Sequence, residues 1–201
     1  GLFVRGWIPA ALALAALFLV GPGWVRDMEE DDLEGAERLS THQISVLTAL
    51  ARDTWRFFEK YVPMDGCALP PDNVQIDPPV GVAHRTSPTN IGLYLVSCLA
   101  ARRMGFIRSE EMQARMAAAM DAVDQMEKWQ GHLFNWYDTD NLLALKPRYV
   151  SAVDSGNLAA SLMLCASGLD IGVQEEASLA ARMMKTAREM NFLTLYDAKR
   201  E

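Results

Sequence analysis

The sequence predicts a predominantly helical, all-α domain that carries a small β-hairpin. Apolar residues recur at three- and four-residue spacing through most of the chain after Ser40, the period of a helix with one buried face. Helix starts are marked by Ser, Thr or Asp, and helix ends by Gly105, Gly131 and Gly168. The stretches between helices are polar, and one of them is rich in proline.

Taken in order, residues 1–26 are expected to form a transmembrane segment. No side chain is charged from Gly6 to Val25, and about twenty helical residues cover the roughly 30 Å of a bilayer core. Arg5 and Arg26 bracket the stretch, and Trp7 and Trp24 lie where interfacial aromatics sit. A cleaved signal peptide is the alternative, but Gly21-Pro22-Gly23-Trp24 offers no clean small-x-small cleavage pattern. Residues 27–39 form an acidic linker, with Asp27, Glu29, Glu30, Asp31, Asp32, Glu34 and Glu37 and few apolar residues. Residues 40–201 form the folded domain.

Its first helix starts near Ser40 or Thr41, presents Ile44, Leu47, Ala51, Trp55, Phe58 and Val62 on one face, and ends at Pro63. Pro63 to Arg85 reads as a long irregular, functional loop. Ser87 caps a second helix with Pro88 in its first turn and Gly105 as its stop. Ser109 caps a third, which Gly131 ends, with Glu110 and Glu111 suited to the positive end of the helix dipole. Leu133–Tyr137 and Leu142–Val150 form the hairpin around Asp138-Thr139-Asp140-Asn141. A fourth helix is capped by Asp154 or Ser155 and closes near Gly168. A fifth runs from about Val173 to Met190, and Asn191–Tyr196 begins a strand.

Composition excludes several functions. Of 201 residues half are hydrophobic, and the net charge of -7 is concentrated in the acidic linker. No basic stripe exists to follow a phosphate backbone, so nucleic acid is not a partner. Cys67, Cys98 and Cys165 are widely spaced with no CxxC pair, which points to plain packing rather than zinc or disulfides. No Gly-rich phosphate loop, HExxH or GxSxG motif is present, and no cofactor is expected.

Four segments concentrate polar and aromatic side chains. LPPDNVQIDP (69–78) supplies Asp72, Asn73 and Gln75, and AHRTSPTN (83–90) supplies His84, Arg85 and Asn90. FNWYDT (134–139) supplies Asn135, Trp136, Tyr137 and Asp138, and RYVSAVDSGNL (148–158) supplies Arg148, Tyr149, Asp154 and Asn157. All sit in connections or helix entrances, where binding groups are commonly mounted. The mixture suits a neutral, hydroxyl-rich ligand: Trp136 or Tyr137 stacks on a sugar ring while Asp, Asn, Arg and His meet its hydroxyls. Each has a plainer reading too. Asp72 is a common turn residue, His84 is as readily structural, and Asp154 serves equally as a helix cap. Asp138-Thr139-Asp140 has the DxD pattern of transferase metal sites, but a hairpin turn is the preferred reading and no metal is expected.

These segments, in this order, carry a resemblance. TWRFFE (54–59), LPPDNVQIDP, AHRTSPTNIGLYL (83–95), FNWYDT and RYVSAVDSGNLA (148–159) resemble the start of the glycoamylase-like domain of bacterial cyclic β-1,2-glucan synthases, and LYDAKRE (195–201) resembles the entry to the family's next hairpin. Val74 and Ile76 depart from that pattern, where an aromatic and an acidic residue are expected. The resemblance implies part of an (α/α)6 barrel in a large enzyme of the bacterial inner membrane, its soluble part cytoplasmic. It implies β-1,2-glucan and the remainder of a parent polypeptide as partners, and transglycosylation that closes the glucan ring as the activity. The catalytic carboxylates are then expected beyond Glu201, and the present residues contact substrate. A hydrolase acting on another β-glucan and a non-catalytic, membrane-tethered glycan-binding module are the alternatives. Five helices of a barrel needing about twelve would leave apolar faces open.

Overall fold

The structure, a computed structural model, describes residues 39–196. Residues 48–196 lie in one compact unit and residues 39–47 in another. The expected membrane segment and all but the end of the acidic linker lie outside the described residues. Among the described residues no helix is long and apolar enough to cross a membrane.

Among the described residues five helices follow one another: α1 (Thr41–Tyr61), α2 (Pro88–Arg103), α3 (Ser109–Gln125), α4 (Ala152–Gly168) and α5 (Gln174–Glu189). Short strands occupy the connections: β1 (Val74–Ile76) with β2 (Pro79–Val82), β3 (Arg85–Thr86) with β6 (Tyr137–Asp138), and β4 (Lys128–Trp129) with β5 (His132–Leu133), all antiparallel. A 3-10 turn (Phe192–Leu195) follows α5.

Helices α2 and α4 lie side by side and parallel. Near their N-termini Thr89 meets Asp154, in the middle Gly92 faces Ser161, and near their C-termini Leu99 faces Gly168. The approach is close enough that a Cβ on Gly92 would stand 2.7 Å from Ser161 Oγ, and one on Gly168 2.4 Å from a Leu99 methyl. Glycine at both positions is what lets the helices touch. The other pair, α3 and α5, is likewise mutually parallel. Gln113 donates to Glu176 (2.9 Å), and Arg182 bridges Asp121 and Asp124 (2.7 Å each). Consecutive helices reverse direction, so α2–α3 and α4–α5 are two helical hairpins stacked in register.

The core fills the space among these helices with Ile91, Tyr94, Leu95, Cys98, Met116, Met120, Val123, Leu158, Leu162, Cys165 and Met183, all fully buried. Trp55 of α1 and Val62 just after it join them, and the Phe58 ring lies 5.2 Å from that of Tyr94. Ile44 and Leu47, expected on the same buried face, are exposed.

Several expected boundaries move for local reasons. Ser109 is not a cap, because its hydroxyl accepts from Arg102 Nε (3.0 Å), and Arg108 holds the cap position. Helix α3 ends at Gln125, six residues before Gly131, and the Lys128 ammonium donates to the carbonyls of Val123, Asp124 and Met126 at its C-terminus. Gly131 instead forms, with Gln130, the turn between β4 and β5. Both have positive φ (51° and 82°), the requirement of a tight type I′ hairpin. The hairpin expected between 133–137 and 142–150 is reduced to a reversal around Asp138–Asn141, because Tyr137 and Asp138 pair chiefly with Arg85 and Thr86. Ser151, rather than Asp154 or Ser155, caps α4, its hydroxyl accepting from the Asp154 N–H at 3.2 Å. Asn191–Tyr196 turns as a 3-10 segment instead of a strand, with Asn191 N–H bonded to Gln130 O.

Two stability tests follow from this packing. A Cβ at Gly131 would fall 1.9 Å from Glu189 O at a φ of +82°, whereas Gly105, at +74°, has open space around it. Gly131→Ala is expected to cost about 3 kcal/mol or more in denaturant unfolding, and Gly105→Ala only about 1 kcal/mol. Burial raises the Cys98 and Cys165 thiols from 9.0, and the Tyr137 phenol from 10.0, each to about 12. Above pH 9 the unfolded chain therefore sheds protons that the folded chain keeps, and stability falls as pH rises toward about 12. Thermal melts across that window should show the loss, and Cys98→Ala combined with Cys165→Ala should flatten its onset.

Candidate functional site

The N-terminal ends of α2 and α4 meet at one end of the helical stack, and the β3–β6 ladder lies over that end. All four polar segments converge there. At the centre is Asp154, in the first turn of α4. Its Oδ1 accepts from Thr89 Oγ1 of α2 (2.7 Å), and Thr89 Oγ1 in turn accepts from Asn157 Nδ2 (3.1 Å). Asn135 is buried and links the other side. In the amide orientation that satisfies its neighbours, its nitrogen donates to Asp154 Oδ2 (3.0 Å) and its oxygen accepts from Trp136 Nε1 (2.7 Å) and the Tyr149 hydroxyl (2.8 Å). The Asn135 backbone N–H also donates to Tyr149 O (2.8 Å).

A second carboxylate, Asp72, sits before β1. Its Oδ2 accepts from Arg85 Nε (3.1 Å), Arg85 Nη2 (2.9 Å) and Asn73 Nδ2 (3.0 Å), and its Oδ1 accepts from Asn90 Nδ2 (3.4 Å). The Arg85 guanidinium also lies over the Trp136 ring, 4.5 Å from its centroid. Arg85 and Trp136 therefore join the two carboxylate clusters into one network that runs from Asn73 to Asn157. Beside it opens a cleft of about 430 Å³ lined by Asn73, Gln75, Val80, Gly81, His84, Arg85 and Leu145 among others. The Thr86 and Ser155 hydroxyls are buried beside this network with no partner among the described residues. An apolar groove between α1 and α2, about 200 Å³ and lined by Ala51, Trp55, Phe58 and Met104 among others, shares no residue with the network.

The structure thus brings together Asp72, Asn73, Arg85, Asn90, Asn135, Trp136, Tyr149, Asp154 and Asn157, and places Gln75 and His84 on the cleft wall. His84 Nδ1 stands 3.6 Å from Asp140 Oδ1. Three expected residues do other work. Tyr137 cannot stack on a ligand: it is fully buried, its hydroxyl donating to Glu127 O and accepting from Phe134 N–H (2.8 Å). Asp138 holds the turn, its Oδ1 accepting from the N–H groups of Asp140 (2.8 Å) and Asn141 (3.2 Å). Arg148 pairs with Glu127 at 3.0 Å and lies over the Phe134 ring. Thr89 was missed in the sequence, where it reads as an ordinary residue of a helix's first turn.

Both carboxylates spend both oxygens on donors within the protein. That arrangement fixes side chains and presents their outer donors and acceptors in a set pattern, as recognition of a hydroxyl-rich ligand requires.

The fold is of a known class. A candidate glucoamylase from Bacteroides fragilis superposes with a TM-score of 0.67 at 20% identity, over 79% of this chain and 38% of that one. The endo-β-1,2-glucanase of Chitinophaga pinensis superposes with a TM-score of 0.67 at 16% identity, over 77% of this chain and 38% of that one. At these identities the likeness is one of fold: a mostly helical, glucoamylase-like arrangement. The chain belongs to the family described as a protein of unknown function (DUF3131), whose model matches residues 49–172. It is also 48% identical over 129 residues to the cyclic β-(1,2)-glucan synthase NdvB of Rhizobium meliloti, a match covering 64% of this chain and 5% of that protein. The chain thus spans a small fraction of that relative's length.

Asn135→Ala would leave Asp154 Oδ2, Trp136 Nε1 and the Tyr149 hydroxyl without their shared partner. It is expected to cost about 2–3 kcal/mol, read as a lowered urea midpoint with unchanged m-value. Asn73→Ala, exposed at the end of the network, should cost well under half of that.

Proposed function

We propose that this chain binds β-1,2-glucan and positions it for the transglycosylation that closes cyclic β-1,2-glucan. The observation that carries the reading is the joined network Asp72–Arg85–Trp136–Asn135–Asp154–Thr89 at the paired N-termini of α2 and α4. Support comes from the 48% identity to a cyclic β-(1,2)-glucan synthase over 129 residues.

In this reading Asp72 and Asp154 orient side chains and accept from sugar hydroxyls. The acid and base of the reaction come from elsewhere in the completed enzyme, because a glycosidic acid/base pair needs carboxyl groups free to exchange protons. Gln75, His84 and Arg85 line the glucan path along the cleft beside the β1–β2 hairpin. The glucan and the remainder of a larger polypeptide are the partners. The assignment to the bacterial inner membrane, with this domain on the cytoplasmic side, belongs to the same proposal.

A second reading, a hydrolase of β-1,2-glucan, draws on the fold shared with the Chitinophaga pinensis endo-β-1,2-glucanase. The two differ in product. Cyclic glucan without new reducing ends supports transglycosylation, and linear fragments with new reducing ends support hydrolysis.

Calorimetric titration of the full chain with linear β-1,2-, β-1,3- and β-1,4-linked gluco-oligosaccharides tests the binding itself. The β-1,2 series is expected to bind and the others to bind at least tenfold more weakly. Arg85→Ala removes the guanidinium that fixes Asp72 and Trp136, and should weaken β-1,2-glucan binding by about ten- to a hundredfold. Equal affinity for all three linkages would sink the proposal.

A further inference from the structure

A sugar site needs a ring face for stacking, and the two aromatic residues expected to supply it are occupied. Tyr137 is buried, and Trp136 carries the Arg85 guanidinium on its ring. Free aromatic surface lies instead in a second cleft, about 350 Å³, lined by Trp129, Phe134, Arg148, Tyr149, Val150 and Leu195. Such a volume falls within the range of about 300–1,000 Å³ typical of small-molecule sites. Trp129 is 43% exposed and Tyr149 47%, each a large ring turned to solvent where burial is the norm.

The walls of this cleft are fixed. Trp129 closes β4 immediately before the tight Gln130-Gly131 turn. Phe134 is held through its N–H to the Tyr137 hydroxyl (2.8 Å). Arg148 is held between Glu127 (3.0 Å) and the Phe134 ring (5.8 Å to its centroid). Tyr149 joins the two sites: its ring lines this cleft while its hydroxyl donates to Asn135, the residue that anchors Asp154.

The chemistry narrows the ligand. Glu127 neutralises Arg148, so the cleft does not select an anion. The ion pair nevertheless leaves polar donors and acceptors beside two ring faces. An apolar face edged by hydroxyls, as in a pyranose ring, matches that combination. We propose that the Trp129–Tyr149 cleft is a second saccharide subsite, taking a glucosyl ring of the same chain that the Asp72–Asp154 network holds. The proposal rests on the glucan-binding reading above and adds to it where a longer chain continues.

The test is titration of the full chain with a short and a long β-1,2-linked gluco-oligosaccharide. The native chain is expected to bind the long ligand more tightly. Trp129→Ala should lower that affinity about tenfold and leave the short ligand unaffected, and Trp129→Phe should restore most of the loss. If Trp129→Ala fails to fold, acrylamide quenching decides. The long ligand should shield an emission component present in the native chain and absent from Trp129→Phe. Unchanged long-ligand affinity in Trp129→Ala, equal loss for both ligands, or Trp129 emission already shielded without ligand would each overturn the subsite and leave glucan binding standing. A native chain that binds neither ligand would overturn both.

Discussion

The site depends on the parallel, close-packed contact of α2 with α4. Two helices normally pack about 8–10 Å apart with side chains between them, and glycine at the contact permits the nearer end of that range. Gly92 lies against Ser161 and Gly168 against Leu99, so two helices that are not consecutive in sequence run in register along their length. Their N-termini then emerge side by side, and Thr89 on one reaches Asp154 on the other. A larger residue at either glycine would push the helices apart, and the Thr89–Asp154 bond would be the first polar link to feel it. The other pair, α3 and α5, reinforces the same register through Gln113–Glu176 and Arg182 with its two aspartates, contacts that are partly exposed and individually weak.

From that contact the polar network follows by satisfaction of donors and acceptors. Asn135 is buried, and leaving its amide unpaired would cost on the order of 1–3 kcal/mol, so each of its polar atoms finds a partner. The result is a framework whose internal geometry does not depend on a ligand. Arg85 does two things at once, pairing with Asp72 and covering the Trp136 ring. Its planar guanidinium permits both, where a lysine ammonium would serve as a point charge alone.

Much of this was legible in the sequence because the signals were local. Ser87-Pro88 marks the start of α2 and Gly105 its end, because capping and left-handed φ are properties of a few adjacent residues. The polar segments 69–78, 83–90, 134–139 and 148–158 could be singled out because so many hydrogen-bonding side chains in connections exceed what turns require. Pairing across long separations could not be read. Nothing local says that Tyr137 pairs with Thr86 instead of forming a longer hairpin with residues 142–150, or that its ring turns into the core. Nothing local tells Trp136, covered by a guanidinium, from Trp129, left open. Thr89 was overlooked because its importance comes wholly from a helix sixty-five residues away.

The sequence does, however, hint at which helices flank the site. Helices α2 and α4 are apolar around much of their circumference, whereas α5 concentrates its charged residues on one face. A helix apolar all round belongs between other layers. Yet Leu93, Val153, Met163 and Leu164 on α2 and α4 are each more than half exposed among the described residues. Exposed apolar area of that extent is destabilising by roughly 25 cal/mol per Å² relative to burial. The same two helices therefore present polar side chains at their N-termini and apolar side chains along their flanks. That division follows from one geometry: the paired N-termini carry the polar network, and the flanks carry the apolar residues of helices that are apolar around much of their circumference. The site is consequently as rigid as the packing of α2 against α4, which sets how firmly Asp154 and Thr89 are held.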